Sequence, residues 1–158
     1  AYEYYLDAVK RDGVPYELIT KALPTIEGEV NDILAQLVDF QILFDMDGKN
    51  INNYIVYDDD NTWPLELSSG MERFISSLAI RVGLINVSNI PRSNFLAIDE
   101  GWGTMDSDNL NSVYSLFQYL KSQFQFTLIV SHIDSMRDAV DTLLEIKKEK
   151  SFSAINFD

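Results

Sequence analysis

The chain opens with helical patterning. Tyr2 to Arg11 reads as a short, tyrosine-rich helix, and Asp12-Gly13-Val14-Pro15 breaks it. From Pro24 the apolar residues Ile26, Val30, Ile33, Leu34 and Leu37 fall at helical spacing, which predicts a helix with one buried face. The period then shortens to two. Phe40, Ile42, Phe44 and Met46 occupy every second position, Asp47-Gly48 supplies a turn, and Ile51 to Tyr57 returns, so a hairpin is predicted. Asp58-Asp59-Asp60-Asn61 follows as an acidic loop. Three carboxylates in a row are calcium-binding chemistry, but no ordered ligand spacing with a downstream glutamate follows, and a solvated turn accounts for them.

Past Gly70, the positions Met71, Phe74, Ile75, Leu78, Val82 and Ile85 trace one stripe of a long helix, and Pro91 follows it. Phe95 to Ile98 is too continuously apolar for a half-exposed strand and fits a buried parallel one. Asp106 or Ser107 can cap the next helix, with Leu110, Val113, Tyr114, Phe117 and Leu120 on its buried stripe. Phe126 to Val130 is a second buried strand, a short helix covers Asp134 to Val140, and Leu143 to Lys147 pairs with Phe152 to Phe157 as a closing hairpin. The strand–helix–strand–helix order implies an α/β fold: parallel strands flanked by helices, joined by right-handed crossovers, with antiparallel hairpins. The change of period near residue 40 separates a helical segment, 1–39, from the remainder, 40–158, within what is expected to be a single compact domain.

Composition narrows the function. The 158 residues suffice for a real core, and 46% hydrophobic with 12% aromatic content excludes a disordered tail. No apolar run approaches the roughly 20 residues that span a bilayer, and no signal-peptide pattern opens the chain. With no cysteine there are no disulfides or thiolate metal sites, so a cytoplasmic location is expected, or a nucleoid or nuclear one if the source is eukaryotic. The net charge of −13, from 12 basic and 25 acidic residues, argues against a nucleic-acid surface on this chain alone. Lys147-Lys148-Glu149-Lys150, the densest basic run, reads as a solvated hairpin edge.

Three polar tips carry candidate chemistry. Asp99-Glu100 ends an apolar strand, where α/β sheets place ligands. Two such carboxylates can divide labour: Asp99 can hold Mg²⁺, directly or through water, while Glu100 orients and deprotonates an attacking water. The alternative is an ordinary strand ending in a polar turn. Ser68-Ser69-Gly70 opens the long helix, where unbonded amides carry partial positive charge and can receive phosphate; Ser68 adds a hydroxyl, and Gly70 permits close approach. The same residues are also explained by Ser69 as a simple N-cap. His132, the only histidine, follows the second parallel strand after Ser131, where a γ-phosphate contact would be useful. A structural or merely exposed role is the alternative. Between the tips lies Gly101-Trp102-Gly103-Thr104-Met105-Asp106, a bendable loop in which Trp102 is either a packing anchor or an interface residue.

In combination, and in this order, these motifs closely resemble the ABC-type ATPase heads of the SMC and SbcC families. There the serine loop is the signature motif, Asp99-Glu100 is Walker B, the Gly-Trp-Gly-Thr-Met-Asp run is the D-loop and Ser131-His132 is the H-loop. The run from Glu100 to Asp106 is nearer to SbcC-type repair ATPases, relatives of the eukaryotic Rad-fifty protein, than to SMC heads. The stretch from Gly13 to Asn31 looks like the point where a returning coiled coil enters the C-terminal lobe of such heads. The resemblance covers nearly the whole chain, with two departures. Ser69 stands where many relatives have glycine. The P-loop is missing: Gly48-Lys49 has Leu43 in place of the first glycine and Asn50 in place of Ser or Thr.

The resemblance implies a P-loop-NTPase-like C-terminal lobe whose N-terminal P-loop lobe lies across a long coiled coil, with residues 1–39 at the junction. It implies two heads sandwiching two ATP molecules with Mg²⁺. Asp99, Glu100 and His132 would act beside the P-loop of their own head, Ser68, Ser69 and Gly70 would reach the ATP of the other head, and Asp106 would link the two sites. ATP would hold the heads together and hydrolysis would part them, governing a nuclease of the SbcD or Mre-eleven kind on double-stranded DNA, with no membrane partner. An SMC-type chromosome-organising head, with the same chemistry and other partners, is the nearest alternative. A degenerate head serving only for dimerisation, or an independent α/β domain with accidental motifs, are the non-enzymatic ones.

Overall fold

The computed structural model describes residues 2–10, 12–48, 50–100, 102, 110–149 and 152–157. They form two compact units, Ala1–Ser93 and Asn94–Asp158. In the first, helices α1 (Tyr2–Val9) and α2 (Val14–Leu34) precede strands β1 (Gln41–Met46), β2 (Ile51–Asp58) and β3 (Asn61–Pro64), and helix α3 (Gly70–Val87) closes the unit.

Helix α2 begins ten residues before the expected start at Pro24. Gly13 is its N-cap and Pro15 sits in its first turn, where a missing N–H costs nothing. A side chain at Gly13 would meet the carbonyl oxygens of Asp7 and Ala8 at 2.5 Å, so the tight turn out of α1 requires glycine. Pro24 lies inside the helix, where it cannot bond the Thr20 carbonyl. The continuous buried face of Leu23, Val30, Ile33 and Leu34 carries the helix through that defect.

The sheet has the order β1-β2-β3 and is antiparallel throughout. The predicted hairpin is its first two strands, with Ile42 opposite Ile55. The third strand falls where only a loop was expected. Asp58 accepts hydrogen bonds from the Asn61 side chain (2.7 Å) and the Asp60 amide (3.0 Å), folding the acidic run into a tight turn that returns the chain as β3. The same bonds, that of Asn61 foremost, hold the Asp58 carboxyl below its usual range.

Strand β1 is an edge, and α2 side chains occupy part of its backbone. Asn31 accepts from the Ile42 N–H at 2.8 Å and donates to the Ile42 carbonyl at 2.9 Å, while Glu27 accepts from the Phe44 N–H at 2.7 Å. Glu27 and Asn31 stand one helical turn apart and so imitate a neighbouring strand. Helix α2 also packs against α3, where Ile75, Leu78 and Val82 of the predicted stripe are buried together with Ala79, which was not expected there.

The second unit contains β4 (Phe95–Asp99), α4 (Leu110–Gln123), β5 (Phe126–Val130), a 3-10 turn at Asp134–Ala139, and the hairpin β6 (Leu144–Glu149) and β7 (Phe152–Phe157). Strands β4 and β5 run parallel, in register from Phe95–Phe126 to Asp99–Val130, as the crossover order requires. Helix α4 buries Val113, Leu116, Phe117, Tyr119 and Leu120; Tyr114, expected on that stripe, is exposed. The strands themselves were expected to be buried on both faces. Only the Ile98 side is covered: Phe95, Phe126, Leu128 and Val130 are exposed on the other, with the two phenylalanine rings stacked at 5.5 Å. A βαβ unit brings one helix to one face, so apolar strands can be fully buried only with a second layer. Taken together, the folds of the two units are mixed α/β with parallel strands and antiparallel hairpins.

Candidate functional site

The polar tips of the second unit converge. Asp99 ends β4 opposite Val130, the last residue of β5, so Glu100 and His132 leave neighbouring strands at the same edge. The Glu100 N–H donates to the Val130 carbonyl at 3.1 Å, extending the ladder one residue past the strand. Glu100 does this at φ 62, the one described non-glycine residue in the left-handed region. Holding a residue with a β-carbon there costs about 1–3 kcal/mol, which the rest of the fold must offset. Its carboxylate lies 3.4 Å, Oε1 to Nδ1, from His132, and both side chains are exposed.

Ser131 sets the path of the histidine. Its hydroxyl oxygen accepts from the Ile133 N–H at 3.2 Å, a local turn that holds the backbone on either side of His132. Its hydroxyl also approaches the sulfur of buried Met136 at 3.5 Å, fixing that turn to the core. Trp102 is 1% exposed and meets Phe117 edge-on at 5.3 Å, which assigns it to packing. The other residues of the expected D-loop, Asp106 among them, lie outside the described residues.

The Ser68–Gly70 loop belongs to the first unit. A 3-10 turn at Leu65–Leu67 leads into it, and both the N–H and the hydroxyl of Ser68 donate to the Leu65 carbonyl, at 3.2 and 2.8 Å. Ser69 is the N-cap of α3 in a complete capping box: its Oγ accepts from the Glu72 N–H at 3.3 Å, and its own N–H donates to Glu72 Oε2 at 2.7 Å. Both hydroxyls therefore have local partners. The first-turn amides of Gly70 and Met71, which have no helical carbonyl to bond, remain the donors nearest an incoming anion.

Two participants were not singled out from sequence. Glu72 was legible, since Ser69-x-x-Glu72 is the capping-box pattern. Tyr57 was not: its hydroxyl donates to Glu72 Oε1 at 2.6 Å only because β2 lies beside the start of α3. Burial first, and then the carboxylate it bonds, push the Tyr57 phenol up to about 12. Partial burial opposes ionisation of Glu72, but the bonds from Tyr57 and Ser69 outweigh it and hold the carboxyl below its usual range.

Among the described residues no group of three or more His, Cys, Asp and Glu could hold a metal ion. The exposed Asp99 carboxylate at the end of β4 is a hard oxygen donor, of the kind that takes Mg²⁺ together with water and substrate phosphates.

The fold defines the class: the chain has the fold of the SMC head domains. A chain from the structural biochemistry of ATP-driven dimerization and DNA-stimulated activation of SMC ATPases matches with a TM-score of 0.72 at 14% identity, over 89% of this chain and 88% of that one. The SMC head domain from Thermotoga maritima matches with a TM-score of 0.61 at 22% identity, over 90% of this chain and 50% of that one. In sequence, the chain is 37% identical over 98% of its length to "Uncharacterized protein R555" of Acanthamoeba polyphaga mimivirus, and 31% identical over 56% of its length to the SbcC component of the nuclease SbcCD of Staphylococcus aureus. It spans 13% of the first relative and 9% of the second. No family model matches the chain. No described helix is long and apolar enough to cross a membrane.

Proposed function

We propose that this lobe is half of the head of an SbcC/Rad-fifty-like ATPase of DNA double-strand-break repair and recombination. The observation that carries the reading is the convergence of Asp99, Glu100 and His132 at one edge of the β4–β5 pair, with Glu100 held left-handed and facing His132 at 3.4 Å. Glu100 orients an attacking water and takes its proton. His132 contacts the γ-phosphate and keeps the Glu100 carboxylate aimed. Asp99 holds Mg²⁺, which supplies charge neutralisation on the phosphates when bound with ATP. Ser68, Ser69 and Gly70 reach the nucleotide of a second copy of the head, and Asp106 links the two sites. ATP joins the heads and hydrolysis parts them, and that cycle governs a nuclease of the SbcD or Mre-eleven kind.

The exposed apolar face of Phe95, Phe126, Leu128 and Val130 supports a second lobe, the N-terminal one bearing the P-loop, as its cover. Residues 1–39 form the junction with a coiled coil, which accounts for the exposed Tyr2, Tyr4, Tyr5, Leu18 and Ile19. Double-stranded DNA is held by the full complex, since a lobe of net charge −13 offers phosphate little. The SMC-type alternative draws on the likeness of fold to SMC heads; the sequence similarity to the SbcC component favours the repair reading.

The test is ATP turnover by this lobe combined with its P-loop lobe, against each alone. Turnover only in combination is expected, and micromolar ATP binding by the isolated chain would overturn this division of labour.

A further inference from the structure

We propose that Tyr57 is a positioning residue for the Ser68–Gly70 loop: by holding the Glu72 carboxylate, it keeps the first turn of α3 open to phosphate. This rests on the ATPase reading above. The geometry forms a chain within the first unit. The Tyr57 hydroxyl donates to one Glu72 oxygen at 2.6 Å, the other Glu72 oxygen accepts from the Ser69 N–H at 2.7 Å, and the Ser69 hydroxyl oxygen accepts from the Glu72 N–H.

A carboxylate in the first turn of a helix is favourable to the helix but is a rival for an anion. If free to rotate, it would bond the Gly70 and Met71 amides itself and repel the phosphate they are to receive. The capping box restrains one Glu72 oxygen and leaves the other to swing. Tyr57 restrains the second, so both oxygens already have donors other than the Gly70 and Met71 amides.

Tyr57 is built to do this. It stands on β2, the central strand of its sheet, and its half-exposed ring meets buried Phe40 edge-on at 6.0 Å. With the phenol pushed up to about 12, it stays a proton donor throughout the neutral range.

Steady-state ATP turnover by the assembled head, with this chain carrying Tyr57→Phe, tests the role. Phenylalanine keeps the contact with Phe40 and deletes only the hydroxyl. The ATP concentration for half-maximal turnover is expected to rise about fivefold, with maximal turnover changed less than about twofold. Glu72→Ala removes the rival carboxylate and should not raise that concentration, and adding Tyr57→Phe to it should change nothing further, because Tyr57 acts through that carboxylate. Tyr57→Phe indistinguishable from the parent overturns the inference, as do additive effects of the two substitutions. If the parent assembly itself turns over no ATP, the ATPase reading has failed, and the positioning role falls with it.

Discussion

His132 Nδ1 lies 3.4 Å from Glu100 Oε1 across 32 residues of sequence, with the two side chains 71% and 59% exposed. An exposed contact of this kind contributes little to stability. The left-handed backbone at Glu100 costs more than the contact returns, so the contact does not account for the strained backbone. Glu100→Gln keeps the shape of the side chain and removes the base. In the assembled head it should lower ATP turnover by at least about 100-fold while prolonging the ATP-joined dimer, followed by turnover assay and gel filtration. Unchanged turnover would remove Glu100 from the role of base.

His132→Ala should also lower turnover, and its effect should not add to that of Glu100→Gln. If the histidine acts by aiming the carboxylate, the double variant turns over no more slowly than the worse single one, within about threefold. Full additivity would mean two independent contributions and would count against the contact. The isolated chain should unfold at the same denaturant concentration with or without either substitution, because both side chains are exposed.

The Tyr57–Glu72 pair predicts two limbs of pH dependence. The folded Glu72 carboxyl lies below its ordinary 4.5, so its contribution to stability is present above about pH 4.5 and is lost as pH falls through the folded value. Glu72→Gln should flatten that acid limb in urea unfolding followed between pH 3 and 6. The folded Tyr57 phenol is raised from 10.0 to about 12, so its contribution is complete below pH 10 and lost as pH rises through about 12. A phenolate absorbance step near pH 12 should be absent from Tyr57→Phe. An identical titration in that variant would contradict the hydrogen bond.

Much of this arrangement is legible in sequence, for local reasons. The run Phe95–Ile98 before two carboxylates gives a parallel strand with a polar end, and the period-two run from Phe40 gives the first hairpin. The errors arise where tertiary context decides. Pro24 carries a helix-start signal as strong as that of Pro15, and only packing of α2 against α3 and β1 shows that the helix continues through it. Asp58–Asn61 has the composition of a solvated loop, yet side-chain bonds from Asp58 make it a hairpin turn before a third strand. Tyr57 was invisible because its partner is 15 residues away on another kind of element. The capping box was in plain sight, since its two members are held at a fixed spacing by the helix itself.

The crossing of α2 and α3 depends on Gly83. A methyl group there would lie 2.9 Å from Val30 Cγ2, and Val30 is wholly buried. Glycine inside a helix costs about 1 kcal/mol relative to alanine, so on helix propensity alone Gly83→Ala should stabilise the protein. Valine in a helix has essentially one rotamer and cannot turn aside, so the helices must separate, at a cost of about 1–3 kcal/mol. The overlap should exceed the propensity gain, and urea unfolding should shift to lower midpoint. Val30→Ala removes the clashing methyls but opens a cavity, and alone should destabilise by about 1–3 kcal/mol. Combined with Gly83→Ala it should lose less than the sum of the two, because the new methyl occupies part of the space that valine vacated. A stabilised Gly83→Ala, or strict additivity in the pair, would show that α2 and α3 do not meet at these two residues.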